Sequence, residues 1–184
     1  VKETSFFADK KTLNNDAAGT INPYVSRVTD FRTVKKRRIL SEKFTKRYAG
    51  VNPSELFKTT FYHYTKPFDF GWMSELHKYD HWSNEYVIED RKDADSKIAR
   101  LYSYPYPNFN ELKSWVNLRL SKGIHENKLK EALRDVDHLA RLLYSQDYII
   151  TSMMAVSLVQ IERKVYNYYT RKKNVKLKLD WRLP

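Results

Sequence analysis

Residues 126–165 read ENKLKEALRDVDHLARLLYSQDYIITSMMAVSLVQIERKV, and this stretch decides the fold class. Leu129, Leu133, Val136, Ala140 and Leu143 recur at spacings of four, three, four and three. On a helix of about 3.6 residues per turn that pattern makes one apolar stripe with charges opposite. A helix from about Glu126 to Tyr144 is therefore expected. Ser145 or Asp147 supplies a cap for a second helix through about Tyr169, with Ile150, Met154, Leu158, Ile161 and Val165 on one face. So short a connection makes the two helices antiparallel neighbours, a helical hairpin. Inside the second helix, Tyr148 to Ile161 is the most apolar run of the chain, at 14 residues. It falls short of the ~20 residues that cross a bilayer. Asp147 closes it on one side and Glu162, Arg163 and Lys164 on the other. The expectation is a buried helix, with no transmembrane helix in the chain.

Upstream, Asn110 is expected to cap a helix from Glu111 to Leu120, with Leu112, Trp115, Val116 and Leu120 facing inward and Gly123 as its stop. Residues 106–170 thus form a predicted core of three helices. Downstream, residues 171–184 are a basic extension. There Val175, Leu177, Leu179 and Trp181 alternate with Lys176, Lys178 and Asp180, the period of a strand, and such a lone strand needs a sheet to join or a surface to lie on. Residues 51–105 are rich in aromatics. Asn52-Pro53-Ser54-Glu55 opens a short helix there, since Pro lacks only an N–H that the first helical position leaves unpaired anyway. Pro67 and Gly71 then break the segment into loop and short helical pieces, and Asp93 is a cap for a helix through Ile98, Leu101 and Tyr102. Residues 1–50 read as an extended arm. Asn14-Asn15-Asp16, Gly19-Thr20 and Asn22-Pro23 are turn signals, and Phe6, Phe7, Ile21, Tyr24, Val25, Val28 and Phe31 are isolated anchors. The expected fold is mainly α: a C-terminal antiparallel hairpin, an extended N-terminal arm and a short terminal strand-like segment.

The chain has 184 residues, room for one domain with an arm, and a formal net charge of +12. The excess sits at the two ends. Residues 1–50 carry 12 basic against 5 acidic groups and residues 151–184 carry 8 against 2, while the middle is nearly neutral. Its centres are Lys35-Lys36-Arg37-Arg38 and Arg171-Lys172-Lys173, and these seven side chains are the candidates for contact with an anionic partner. Such ends reach onto phosphate backbones, anionic lipid headgroups or acidic protein surfaces. The competing reading is a solvated charge face that keeps the protein soluble. The 27 aromatic side chains exclude a plain disordered tail, because they can bury a large area. No signal peptide is visible near the N-terminus, where Lys2, Glu3, Lys10 and Lys11 interrupt any apolar run. The start at Val1 fits a removed leader or a trimmed beginning.

Catalytic chemistry finds little to stand on. With no cysteine there is no disulfide framework, thiolate metal site or thiol nucleophile. Four scattered glycines make no phosphate-cradling loop, and no nucleophile elbow occurs. His77 and His81 would share one face of a helix with Asp80 or Glu75 nearby, but Lys78 stands where the metalloprotease pattern needs Glu. Histidines packed among aromatics are the simpler reading. Asp135, Asp137 and His138 are near neighbours on a helix and are expected to point apart, not to converge on a substrate. The rings between Phe61 and Tyr86 could stack bases, yet that segment is slightly acidic, so packing in a core or interface is preferred. No catalytic residue, metal or cofactor is expected.

In character the whole chain resembles the lineage-specific supernumerary subunits of large mitochondrial assemblies: basic, rich in Tyr, Trp and Lys, free of cysteine, with an anchoring arm and a helical hairpin. That resemblance carries no diagnostic motif and transfers no site. It implies a non-catalytic accessory subunit of an inner-membrane respiratory-chain or ATP synthase complex, peripheral to the membrane or on its matrix side. The partners are then other protein subunits, with anionic lipid headgroups beside them. The alternative is a mitochondrial ribosomal protein bound to RNA. Lys outnumbers Arg, whereas bidentate phosphate recognition favours Arg, and this turns the expectation toward the first.

Overall fold

The computed structural model describes residues 15–25, 45, 47–83, 108–146, 148–175 and 177–179. Six α-helices stand in order among them: α1 Ala18–Val25, α2 Thr59–His63, α3 Gly71–Glu75, α4 Phe109–His125, α5 Leu129–Tyr144 and α6 Ile149–Lys173. Two 3-10 turns, Pro53–Phe57 and Leu76–Lys78, precede α2 and follow α3. The described residues hold no strand, only an isolated parallel bridge between Asp16 and His81. The fold is mainly α.

The stripe on α5 is buried along its length, with Leu129, Leu133, Val136, Ala140 and Leu143 in the core beside Ala132, Leu139 and Leu142. α5 packs on both α4 and α6, and its interface with α6 is the largest in the fold. α4 starts earlier than expected. Asn108, not Asn110, is its cap, the side-chain oxygen accepting from the Glu111 N–H at 3.3 Å. It also runs through Gly123 to His125. The glycine serves packing and not termination: a Cβ there would lie 2.6 Å from the Ala132 Cβ and 3.0 Å from the Lys128 carbonyl oxygen. Reversal of the chain falls to Asn127, which adopts φ 57°, a left-handed conformation that Asn tolerates.

The same helix carries an inward polar row. Ser114 and Asn117 donate to the carbonyls of Thr45 and Tyr48 at 3.3 and 2.7 Å, and Ser121 donates to that of Leu56 at 2.8 Å. Spacings of three and four put these side chains on one face. The Thr45 carbonyl also accepts from the Ala49 N–H at 3.1 Å, and the bonds from α4 give the buried carbonyls of Tyr48 and Leu56 a donor, where a buried carbonyl with none would be costly. Asn52 accepts from the Ser54 N–H at 3.4 Å and Pro53 opens the 3-10 turn, as the cap signal predicts.

Residues 15–25 do not form an extended arm. They make α1, and Ala17, Ala18, Ile21 and Val25 are buried in the common core. The segment is tied to residues 79–83, which lie about sixty positions away. Ala17 N–H donates to the His81 carbonyl at 2.9 Å, Trp82 Nε1 to Asn22 Oδ1 at 3.0 Å, and Thr20 Oγ1 to the Tyr79 hydroxyl at 2.9 Å. Asp16 accepts from the Ala18 N–H at 3.0 Å and from both the backbone N–H and the hydroxyl of Ser83. Of the rest of the expected arm, Thr45 and residues 47–50 lie against α4, with Thr45, Tyr48 and Ala49 buried. Residues 1–14, 26–44 and 46, including Lys35, Lys36, Arg37 and Arg38, lie outside the described residues, as do the Asp93 helix and the acidic run 85–95 formed by Glu85, Glu89, Asp90, Asp93 and Asp95.

α6 departs from expectation at both ends. Tyr148 precedes it without a side-chain cap, and it runs on to Lys173 before Asn174 closes it at φ 51°. The buried row is Thr151, Met154, Ala155, Leu158, Glu162 and Val165, so Ile150 stands outside it. Beyond α6 the expected strand has no ladder. Leu177 and Leu179 instead lie against the core, and the Tyr166 hydroxyl donates to the Leu177 carbonyl at 3.2 Å. Alternation here reflects one side laid on a surface, not membership of a sheet.

Gly123 gives a direct check on the close crossing of α4 and α5. Gly123→Ala should destabilise the protein by about 1–3 kcal/mol through overpacking. Pairing it with Ala132→Gly should recover part of that loss, the rest reflecting the ~1 kcal/mol helical penalty of Gly. Urea unfolding of the three proteins reads the result, and a neutral Gly123→Ala would contradict the crossing.

Candidate functional site

Two places concentrate chemistry. The first is a polar cluster where α3 and the Leu76–Lys78 turn meet α4 and α5. Asp135 is buried and accepts from Arg119 Nε at 2.8 Å, with Arg119 Nη2 2.7 Å away. Ser74 Oγ donates to it at 3.1 Å, and His77 Nε2 lies 2.9 Å from its other oxygen. The His138 ring sits 4.7 Å from that of His77, with Nε2 3.0 Å from the Tyr79 carbonyl. Asp135 and His138 therefore share a face three residues apart and both meet His77, contrary to the expected divergence. Asp137 does turn away, to Arg141 at 2.8 Å.

The electrostatics of this cluster follow from its burial. Desolvation alone would raise the Asp135 carboxyl. The His77 hydrogen bond, the Arg119 charge and the Arg119 and Ser74 hydrogen bonds outweigh it and hold the carboxyl below its usual range. Burial pushes His138 down, helped by the charges of His77 and Arg141 and opposed by the carbonyls of Tyr79 and Leu76. Arg119 already neutralises Asp135, and Ser74 bonds the carboxylate and not the imidazole. The arrangement thus lacks the relay by which a carboxylate orients a histidine toward a hydroxyl. It ties α3 to α4 and α5.

His77 and His81 do not share a helical face, because the helical turn ends at Lys78. His81 Nδ1 instead lies 2.7 Å from Asp80. Among the described residues no group of three or more His, Asp or Glu side chains is placed to hold a metal ion. His125 stacks on Tyr62 at 4.7 Å.

The second place is the outer face of α6. The apolar run expected to be buried is covered on one side only: Ile149 is 82% exposed, Met153 67%, Val156 52% and Ile150 46%. No helix of the described residues is long and apolar enough to cross a membrane. Continuing along the same face, Gln160, Arg163, Lys164, Asn167 and Arg171 are all exposed or nearly so. One helix face thus changes from apolar in its first half to cationic in its second. Beside it, the turn 49–53, α4 and α6 enclose a cleft of about 510 Å³, with Lys113 and Lys164 among its lining residues.

Of the seven cations singled out from the sequence, Arg171, Lys172 and Lys173 form the last turn of α6 and are exposed. Their charge opposes the negative end of the helix dipole. Lys172 Nζ lies 5.2 Å from the centre of the Phe57 ring and 5.9 Å from that of Tyr168, so part of its charge is spent on aromatic faces within the fold. Ile149, Met153, Val156, Lys113 and Lys164 were not singled out. The available signal was an apolar run flanking the core row on the wrong side of the helix. Comparison with protein-family models, with curated proteins and with solved structures finds no match to this chain.

Acid sensitivity tests the polar cluster. A His with a depressed folded pKa stabilises fully above its ordinary value of 6.5 and loses that contribution as pH falls below it. Asp135 stabilises above 3.8 and loses its share as pH falls through its lowered folded value. Stability should therefore decline in two stages on acidification. His138→Gln, which keeps a donor toward the Tyr79 carbonyl, should remove the upper stage in urea midpoints measured from pH 7.5 to 4.5. An unchanged upper stage would reject the assignment.

Proposed function

We propose that this chain is a non-catalytic structural subunit of a larger assembly, which holds neighbouring proteins through the outer face of α6. The observation that carries this reading is the apolar half of that face. A side chain such as Ile or Met gains roughly 1.5–3 kcal/mol on full burial, and four of them stand here in register along one helix with nothing of the described chain above them. A helix apolar on all sides belongs inside something. A partner protein completes its burial.

The character of the sequence makes a mitochondrial inner-membrane respiratory-chain or ATP synthase complex the first assembly to examine, with the chain peripheral to the membrane or on the matrix side. In this reading α5 and α6 form the antiparallel hairpin that presents the docking face. The basic groups at both ends, Lys35–Arg38 and Arg171–Lys173, meet acidic subunits or anionic headgroups. A mitochondrial ribosomal subunit is the alternative. It would use the exposed cations of the α6 C-terminus against phosphates.

Placing charge on the face tests the reading. Met153→Asp with Val156→Asp alters exposed positions, so the free protein should melt within about 0.5 kcal/mol of the original. Recovery of a tagged copy in its assembly, read on native gels, should fall at least tenfold. Incorporation equal to the original would reject docking through α6. Stoichiometric ribosomal RNA in the recovered particle, lost steeply as salt is raised, would select the ribosomal alternative.

A further inference from the structure

The cleft beside α6 has features that a docking face alone does not require. Its floor is apolar, with Leu56 and Val165 buried and Ile161 half-buried, and Val51 and Pro53 stand at its edge. Its wall is preformed. The Asn117 amide holds the Tyr48 carbonyl at 2.7 Å and Ser121 holds that of Leu56 at 2.8 Å, which fixes the turn between them. Two lysines line this mixed cleft from different helices, Lys113 from α4 and the exposed Lys164 from α6. Neither has a carboxylate partner among the described residues. Lys113 has only the Phe109 ring, with its Nζ 4.9 Å from the centre.

Lys164 belongs to both places. It lines the cleft and also continues the exposed row Met153, Val156 and Gln160, at spacings of three, four and four. A segment lying on the apolar half of α6 and continuing along the helix therefore passes over the mouth of the cleft. Covering two lysines there without compensation would remove their hydration and give nothing back. Once a docked segment covers the cleft and excludes water from it, opposite charge there is attracted more strongly than at an open surface.

We infer that the cleft receives an acidic side chain, Asp or Glu, from the partner segment docked along α6, with Lys113 and Lys164 as its paired cations. This rests on the docking reading proposed above and specifies the partner. Its docking segment is amphipathic, apolar over Ile149, Met153 and Val156 and acidic where it crosses Lys164. The formal charge of +12 favours such a partner at longer range.

Two cross-links made in the native assembly separate this inference from the docking reading. A photoreactive benzoylphenylalanine at position 153 reports what covers the apolar half. Carbodiimide, which joins a lysine to a carboxylate with no spacer, reports what enters the cleft. Peptide sequencing should find Lys113 and Lys164 joined to Asp or Glu of the protein that is linked to position 153. Lys113→Glu with Lys164→Glu should lower incorporation at least tenfold, Lys113→Arg with Lys164→Arg should retain it, and reversing the identified partner carboxylate to Lys should restore the charge-reversed chain. Folding of each variant is checked by thermal melting of the free protein. A link at 153 with both lysines uncoupled, or full incorporation of the charge-reversed chain, overturns the cleft assignment and leaves the docking face standing. Coupling of the lysines to this chain's own acidic run 85–95 also overturns it. Coupling to a partner without a link at 153 keeps the cleft and rejects the α6 face.

Discussion

Trp115 stands at the junction of the early segments with the long helices, and four other rings are arranged around it. Tyr24, Phe68, Phe70 and Trp72 approach edge-on, with ring centres 5.3–5.9 Å away. Tyr24 also stacks on Trp72 at 4.4 Å and 11°. Edge-on contact lets the positive rim of one ring meet the negative face of another, worth about 0.5–1.5 kcal/mol per pair beyond the area removed from water. α1 has eight residues and α2 and α3 five each. Helices that short do not persist alone, because nucleation costs more than so few bonds return. They exist here because side chains such as Tyr24 and Trp72 are held on α4. The tie of Asp135 to Arg119, Ser74 and His77 acts on the neighbouring side of the same junction and fixes the direction from which α3 arrives.

Legibility of the sequence follows from the range over which each signal acts. The stripe of α5 could be read because its period, its burial and its helix coincide within sixteen residues. α1 could not. Its core residues are Ala18, Ile21 and Val25, with Ala17 just before it, Pro23 lies inside it, and its stabilising bonds run to residues 79–83. Turn signals at Asn15-Asp16 and Asn22-Pro23 are real but describe local preference only, which a tertiary staple overrides. Gly123 shows the same limit. A glycine near the end of an apolar stripe is usually a cap, and only the position of Ala132 reveals that it is a contact. The convergence of Asp135 and His138 could have been anticipated from their spacing of three, but its centre, His77, is 58 residues away.

The candidate site was hidden by a different ambiguity. A run that is apolar on every side of a helix states that all sides should be covered, not by which molecule. Length excluded a membrane span and burial in the core was the economical alternative, yet α5 and α4 cover only the row from Thr151 to Val165. The excess apolar positions are the ones that the docking reading proposed above assigns to a partner. Polar residues on the inner face of α4 conveyed a similar message in reverse. Ser114, Asn117 and Ser121 look misplaced in a core helix until the carbonyls of residues 45–56 are set against them.

These two irregularities are physically connected. Because α4 spends part of its inner face on holding the 45–56 segment, that segment forms one wall of the cleft, and α6 forms another. A uniformly apolar α4 would have packed without it, and Lys113 and Lys164 would then share no cleft that a docked segment could seal from water; at an open surface an ion pair contributes little. In the docking inferred above, set into a preformed cleft beside an uncovered apolar face, the same two charges discriminate. They favour a partner carrying a carboxylate at that point and penalise one that covers them with apolar or basic groups. Apolar area on α6 supplies attraction without direction, and the lysines supply register along the helix, the usual division between affinity and specificity at a protein interface.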